Sequence, residues 1–285
     1  MSEKSRSETL LEALANGVNV DITPLSRNEV YLKALLDGNK DVPVPQSRIE
    51  AYLHALCEKG TGGGDEQSVL DALIDGTLTE IEWRGETIRR YCFQYHPTLR
   101  SGNFPNVTVA GSHIFYSCGV LESINMPKLT TVGESAFQSC KYLADVRLPL
   151  LKSIPRFCFN SCEKSLLRVT FPEVTSIDSS AFYSCDVLAF ADFPKVTSIA
   201  SSVFDYAEKL KVLILRSNTL CTLASTSALN KTPIKSGTGY IYVPRALVDS
   251  YTSATNWSTF AAQFRALEDY TVDGTTTGAL DESKI

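Results

Sequence analysis

Aromatic and proline residues recur along the central part of the chain with a period of about 22 residues. One phenylalanine marks each copy, at Phe93, Phe115, Phe137, Phe159, Phe182 and Phe204. A proline holds a constant register beside it, at Pro105, Pro127, Pro149, Pro172 and Pro194. A unit this short cannot bury its own apolar face, so it must stack on its neighbours. The pattern therefore predicts a repeat solenoid over residues 80–236, with equivalent side chains aligned in columns.

Each copy also contains a Leu-x-x-Val-x-Leu stretch, which predicts one short strand per repeat. The predicted strands begin near Leu121, Leu143, Leu166, Leu188 and Leu210. One extra residue near Lys164 and Ser165 lengthens a single step to 23 residues. Stacked parallel strands lie about 4.8 Å apart, so we expect a body of short parallel strands, one per repeat.

A different repeat, with a period of 21 residues, occupies residues 1–60. Its copies begin Ser-Arg-x-Glu at Ser5, Ser26 and Ser47, and Ser-x-x-Glu is the capping box of a helix start. The helices would be short, so they must pack on one another, on a second chain or on a larger partner. The repeat is therefore interpreted either as a small all-α bundle or as an assembly or docking module. The candidate assembly residues are Arg6, Arg27, Tyr31, Arg48 and Tyr52.

Composition shifts divide the remainder of the chain. Residues 61–66 form a glycine-rich hinge by composition, and residues 67–79 are predicted to form a helix that caps the solenoid at its N-terminal end. After the repeats, Tyr240–Val243 is predicted to be the last strand. Apolar residues at helical spacing then predict a helical C-terminal cap within residues 237–270, followed by a flexible tail at 271–285.

Four cysteines keep the repeat register, at Cys118, Cys140, Cys162 and Cys185. Side chains in register lie one strand spacing apart, much farther than the length of a disulfide bond. We therefore expect buried, unpaired and inert thiols.

Charge and composition exclude several classes of function. The 285 residues carry a formal net charge of −5, which gives no basic footprint for nucleic acid. No apolar run is long enough to cross a membrane, and the N-terminus lacks the order of a secretory signal, so we expect a soluble chain made in the cytoplasm, without membrane insertion. His54, His96 and His113 are the only histidines. His96 and Cys118 would occupy adjacent repeats, but two residues do not complete a four-ligand metal site, and a buried thiol with no activating charge is inert. No cofactor, metal or enzymatic activity is expected.

Binding is better supported, because the third and fifth residues of each predicted strand point away from the core. Along the solenoid these positions change from small polar to charged and then to apolar. Phe190, Val212 and Ile214 could form an exposed binding patch, or the C-terminal cap could cover them. The candidate binding residues are Asp145, Arg147, Arg168, Phe190, Asp192, Val212 and Ile214.

The unit Ile-(x)4-Phe-x-x-Cys-x-x-Leu-x-x-Val-x-Leu-Pro resembles the BspA-like, or Treponema-type, leucine-rich repeat. The resemblance covers residues 80–236. It implies a curved leucine-rich-repeat solenoid, α/β-like with short parallel strands in each turn, used for adhesion or protein binding without catalysis. The implied ligand is a protein or glycan on a cell surface.

The N-terminal Ser-Arg-x-Glu-x-[Leu/Tyr]-Leu units are similar to attachment repeats of phage head-fibre and other phage structural proteins. That similarity implies a virion protein of head- or tail-fibre type. Residues 1–60 would bind a capsid or tail partner or form a homo-oligomer, and the solenoid would be displayed outward. The alternative is a bacterial surface or intracellular protein-interaction module.

Overall fold

The computed structural model describes residues 77–83 and 85–269 of the chain. These residues form a solenoid in which each of the first seven turns contributes one long strand and one two-residue strand, and two further long strands follow; all strands pair in parallel. The long strands are β1 (Glu80–Glu82), β3 (Ser101–Asn103), β5 (Ser123–Asn125), β7 (Asp145–Arg147), β9 (Arg168–Thr170), β11 (Phe190–Phe193), β13 (Val212–Leu215), β15 (Tyr240–Val243) and β16 (Phe264–Ala266). The short strands are β2 (Thr87–Ile88), β4 (Val109–Ala110), β6 (Thr131–Val132), β8 (Ser153–Ile154), β10 (Ser176–Ile177), β12 (Ser198–Ile199) and β14 (Thr222–Leu223). The predicted repeat solenoid is confirmed, and the second strand of each turn was not predicted.

The long strands form two sheets, ordered β1-β3-β5-β7 and β9-β11-β13-β15-β16. The interruption between β7 and β9 coincides with the single 23-residue step. Cys162 and Leu166 are separated by one residue more than Cys140 and Leu143, and this extra residue lies in the turn that leads into β9. The insertion noticed in the sequence therefore marks the point where the sheet breaks.

The short strands also form two sheets, β2-β4-β6 and β8-β10-β12-β14. Before the interruption between β6 and β8, the Gly133 N–H donates to the carbonyl of Ala110 at 2.9 Å. The equivalent residue one turn later is Pro155, which has no N–H to donate to the carbonyl of Val132. The missing donor explains the break between β6 and β8.

The core is built around a column of phenylalanine rings. Neighbouring rings in this column lie 5.1–5.6 Å apart and within 13° of parallel. Phe159, for example, is fully buried between Phe137 at 5.1 Å and Phe182 at 5.3 Å. Stacked, buried rings add attraction beyond the area they remove from water, so each turn stabilises the next one.

The phenylalanine column sits on a tight six-residue turn that closes each repeat. Two residues of this turn, four positions apart, adopt left-handed φ angles in every turn from Tyr91 to Tyr206. Backbone hydrogen bonds between successive turns hold this conformation, as in Phe115 N to the Ala136 carbonyl at 2.8 Å. The turns are packed so closely that a Cβ added at Gly133 would lie 2.3 Å from the backbone nitrogen of Ser112.

The C-terminal end of the solenoid is closed by short helices and one further strand. These helices are the 3-10 segments Thr226–Leu229, Arg245–Leu247 and Trp257–Gln263 and the α-helices α1 (Pro233–Ser236) and α2 (Val248–Ser253). The expectation that Tyr240–Val243 ends the sheet is wrong, because β16 pairs with β15 beyond it. Tyr251 and Trp257 anchor the cap to the last repeat, since the Tyr251 hydroxyl accepts the N–H of Cys221 and the Trp257 indole donates to its carbonyl.

Several predictions lie outside the described residues. They are the N-terminal repeats at 1–60, the hinge at 61–66, the helix expected up to residue 76 and the tail at 271–285. Residues 77–79 of the expected capping helix are described and are not helical. Within the described part of the chain, no helix is long and apolar enough to cross a membrane.

Candidate functional site

A polar groove runs across the outer face of the first long-strand sheet. The middle residue of each strand points toward the core, as Ile81 and Ile124 do, and the first and third residues point outward. The outward side chains form two rows that enclose a volume of about 490 Å³. The rows are Glu80, Ser101, Ser123 and Asp145, and Glu82, Asn103, Asn125 and Arg147.

Strand register organises the polar groups of this groove. Asn103 and Asn125 are directly paired, and the Asn125 amide donates to the Asn103 side-chain oxygen at 2.8 Å. Two glutamates lie at the N-terminal end of the groove, on β1, and an arginine lies at its other end, on β7. The groove therefore offers acceptors, amide donors and a guanidinium in an ordered sequence along the solenoid.

Arg147 and Asp145 are adjacent on one face because they are two residues apart on the same strand. The Arg147 Nε lies 3.1 Å from each Asp145 carboxylate oxygen, and this pairing raises the pKa of the guanidinium further above its usual value. Both side chains remain more than half exposed, at 69% and 51%. An exposed pair of this kind contributes little to stability. Because both groups are exposed, a ligand can reach them.

The outward side chains of the second long-strand sheet are buried at several positions, whereas those of the first sheet are exposed or half-buried. The interpretation of Phe190, Val212 and Ile214 as an exposed patch is wrong, because they are 7%, 5% and 0% exposed. They pack with buried Tyr242, and Tyr240 and Leu267 lie against them. The C-terminal cap thus covers the apolar end of the sheet, as the alternative interpretation had it.

The charged candidate binding residues on this second sheet also interact with neighbouring side chains. Asp192 is 5% exposed and accepts two hydrogen bonds from Arg216, at 3.0 and 2.8 Å. Arg168 is exposed, and its guanidinium lies 5.0 Å from the centre of the Phe190 ring. The buried Asp192 carboxylate is already paired with an arginine of the same chain, so of these two charged candidates only Arg168 remains available at the surface.

The two members of the Cys–His combination considered from the sequence, Cys118 and His96, are both fully buried in the core. The Cys118 thiol donates to the Phe93 carbonyl at 2.9 Å, and the His96 Nδ1 accepts the N–H of Leu99 at 3.2 Å. Cys140, Cys162 and Cys185 make the same thiol–carbonyl contact in later turns. None of the seven described cysteines forms a disulfide and all are buried, and no three His, Cys, Asp or Glu side chains in the described ranges come together as metal ligands.

Burial also sets the protonation of these thiols. It raises the pKa of Cys221 to about 12 and that of Cys92, Cys158 and Cys185 further still. A protonated thiol is a poor nucleophile, so the cysteine column acts as a hydrogen-bonded part of the core. His54 lies outside the described residues.

The candidate binding residues named from the sequence include only Asp145 and Arg147 of the polar groove and omit the groove residues Glu80, Glu82, Ser101, Asn103, Ser123 and Asn125. Glu80 and Glu82 line the groove, and their distance of 21 residues from Ser101 and Asn103 could have identified them as the first copy of the repeat. Arg216 could have been placed by alternation, because it lies two residues after Ile214 and so continues the outward face of β13.

The solenoid is also the part of the chain that matches a known protein family. A family model described as a BspA type leucine-rich repeat region matches residues 86–211 in six copies. Residues 86–211 are therefore similar to a BspA-type leucine-rich repeat region. The expected family resemblance is confirmed, and strand β1 before the matched region and strands β13 to β16 after it extend the solenoid at both ends.

Three bacterial proteins of known structure are similar to this chain. A leucine-rich cell surface protein from Faecalibacterium prausnitzii is 27% identical with a TM-score of 0.48, over 54% of this chain and 45% of the other. A leucine-rich repeat protein from Eubacterium ventriosum is 20% identical with a TM-score of 0.50, over 54% and 43%. The leucine-rich repeat protein of T. pallidum is 18% identical with a TM-score of 0.34, over 57% and 64%.

The Eubacterium structure has the fold of the BspA-type region, and the chain spans less than half the length of the first two proteins. No curated protein matches the chain. Leucine-rich repeat regions generally bind proteins or other ligands, and the BspA type is typically a non-enzymatic binding module.

Proposed function

We propose that the chain is a non-catalytic binding protein and that the polar groove on β1, β3, β5 and β7 holds its protein ligand. The observation that carries the proposal is the contrast between the two long-strand sheets. The first presents unburied acid, amide and guanidinium groups, whereas the cap covers the apolar residues of the second. The groove suits an extended polar peptide segment, whose backbone and side chains can pair with both rows.

Peptide display tests this proposal. A random peptide library is selected against the purified full chain, and recovered peptides are measured by calorimetry. Ser123→Arg places a large side chain on the groove floor, and Ser153→Arg, on short strand β8, is the matched control outside the groove. We expect Ser123→Arg to weaken peptide binding by about tenfold or more, which is the loss of one interface anchor. Peptides that bind both variants equally would refute the groove assignment.

For the biological setting, we propose a virion structural protein of head- or tail-fibre type that displays this surface. The support is the threefold Ser-Arg-x-Glu repeat within residues 1–60, which provides equivalent positions for attachment to a symmetric particle or to other copies. In this proposal Arg6, Arg27 and Arg48, with Tyr31 and Tyr52, make the attachment.

Sedimentation of lysates from the host distinguishes this setting from its alternative. A virion protein should co-sediment with phage particles, and reversing the three arginines to glutamate should release it. Reversing the exposed residues Lys128, Lys164 and Lys209 is the matched control for the change in charge. A bacterial surface or intracellular interaction module would instead be found in the envelope or cytosolic fraction and not with particles.

A further inference from the structure

A second groove lies on the side of the solenoid formed by the six-residue turns. It has a volume of about 550 Å³ and shares no residue with the polar groove. Half-buried and exposed aromatic rings line it, and Tyr95 is 60% exposed. The residues of this aromatic groove are Tyr91, Gln94, Tyr95, His113, Tyr116, Glu134, Ser135, Gln138, Arg156 and Phe157.

The rings form a continuous band across the first two turns. Tyr91 and His113 are 5.3 Å apart between ring centres, His113 and Tyr116 are 5.5 Å apart, and Tyr95 and Tyr116 are 5.4 Å apart. Phe157 extends the aromatic lining two turns farther along. Four turns at the strand spacing correspond to a groove of about 14 Å, the scale of a short chain of ring-shaped units.

Packing of the fold does not explain these rings. Tyr91, Tyr95, His113 and Phe157 have φ angles of 58–66°, the left-handed region in which a bulky side chain is unfavourable. In other turns the same positions hold serine, for example Ser139. The solenoid therefore folds without an aromatic residue at these positions, and strained residues of this kind cluster at functional sites.

Both hydrogen-bond donors and hydrogen-bond acceptors surround the rings. The amides of Gln94 and Gln138 can donate and accept, while Glu134 accepts and Arg156 donates. The lining contains one acidic and one basic side chain, so it favours an uncharged ligand. Flat apolar surfaces bordered by amide, carboxylate and guanidinium groups match a pyranose ring, which has an apolar C–H face and a rim of hydroxyls.

We propose that the aromatic groove binds a neutral oligosaccharide, with the tyrosine rings stacked on sugar faces and Gln94, Gln138, Glu134 and Arg156 bonded to hydroxyls. The site does not depend on the polar groove or on its peptide ligand. It goes beyond the proposed function, because one solenoid would then carry separate surfaces for a protein and for a glycan.

Calorimetry with the full chain tests this proposal, and the probes are cellohexaose, maltohexaose, xylohexaose, mannohexaose and chitohexaose. The substitutions Tyr95→Ser and Tyr116→Gln introduce residues that other turns hold in the same register, namely Ser139 and Gln138. Tyr206→Ser is the matched control, because Tyr206 has the same left-handed conformation, is 41% exposed and pairs with Tyr183 at 5.5 Å outside the groove.

We expect saturable binding of at least one probe, weakened about tenfold or more by either groove substitution and unchanged by Tyr206→Ser and by Ser123→Arg. Thermal melting followed by circular dichroism checks that every variant is folded. The proposal is overturned if no probe binds, if folded groove variants bind as the unmodified chain does, or if Ser123→Arg abolishes sugar binding. Displacement of the sugar by a peptide selected on the polar groove would also overturn it.

Discussion

Removal of one ring from the phenylalanine column tests the physical basis of the solenoid most directly. Phe159 is fully buried, stacks on Phe137 and Phe182 within 6° of parallel, and lies 5.7 Å from Phe171. Phe159→Ala therefore removes the burial of one large side chain and two stacked contacts, and it leaves a cavity between turns.

The expected magnitude follows from these contacts. Burying a phenylalanine side chain is worth about 1.5–3 kcal/mol, and each stacked pair adds about 0.5–1.5 kcal/mol. Together with the cavity, this predicts a loss of about 3–5 kcal/mol in the free energy of unfolding. Because each turn is stabilised by its neighbours, the loss in the central column should also uncouple the two halves of the solenoid.

Urea unfolding followed by far-UV circular dichroism measures both effects. The matched control is Phe157→Ser, which removes a phenylalanine from the surface of the same turn, where its ring contacts the Arg156 guanidinium at 4.4 Å. We expect the control to change the free energy of unfolding by about 1 kcal/mol or less. Phe159→Ala should lower the midpoint and separate the transition into two steps. Equal effects of the two substitutions would refute the stacked-column account.

Three further predictions concern thiols, charge and backbone packing. With Cys57 replaced by serine, the folded chain should expose no thiol to Ellman's reagent, whereas rapid labelling of the native protein would contradict the buried column. Hydrogen bonds from Lys152 and Lys195 lower the pKa of Glu173 to about 2, so their stabilisation is present above the usual glutamate pKa and is lost as the pH falls toward 2. NMR titration checks this value, which should rise in Lys152→Ala. Gly133→Ala should destabilise the fold by about 1–3 kcal/mol in urea unfolding, while Gly119→Ala, whose Cβ would meet nothing within 4 Å, should be near neutral.

The sequence identified correctly which residues form the core, because a repeated unit places equivalent side chains in equivalent environments. Phe159 and Cys140 could be assigned to columns from their spacing alone, and the outward direction of Asp145 and Arg147 followed from strand alternation. The short strands escaped prediction, because two residues carry too little pattern to be distinguished from a loop.

Exposure could not be predicted in the same way, because it depends on which other segment packs on a surface. Phe190, Val212 and Ile214 occupy outward positions of their strands, as Ser123 does, and they are buried in a cluster with Tyr242, against which Tyr240 and Leu267 pack. The aromatic groove has the same origin. Tyr95 and His113 lie 18 residues apart in the sequence and are brought to one side by the turn geometry.

By itself the sequence determined the period, the solenoid and its buried columns, since these follow from local spacing repeated many times. The tertiary structure alone decided which parts of the surface stay open. Stacking leaves the acid, amide and guanidinium groups of the first sheet uncovered, and the cap folds over the apolar end of the second. Covering a surface depends on packing between segments that are distant in the sequence. The residues that cover the second sheet, such as Leu267, lie outside the repeat pattern and cannot be recognised from it.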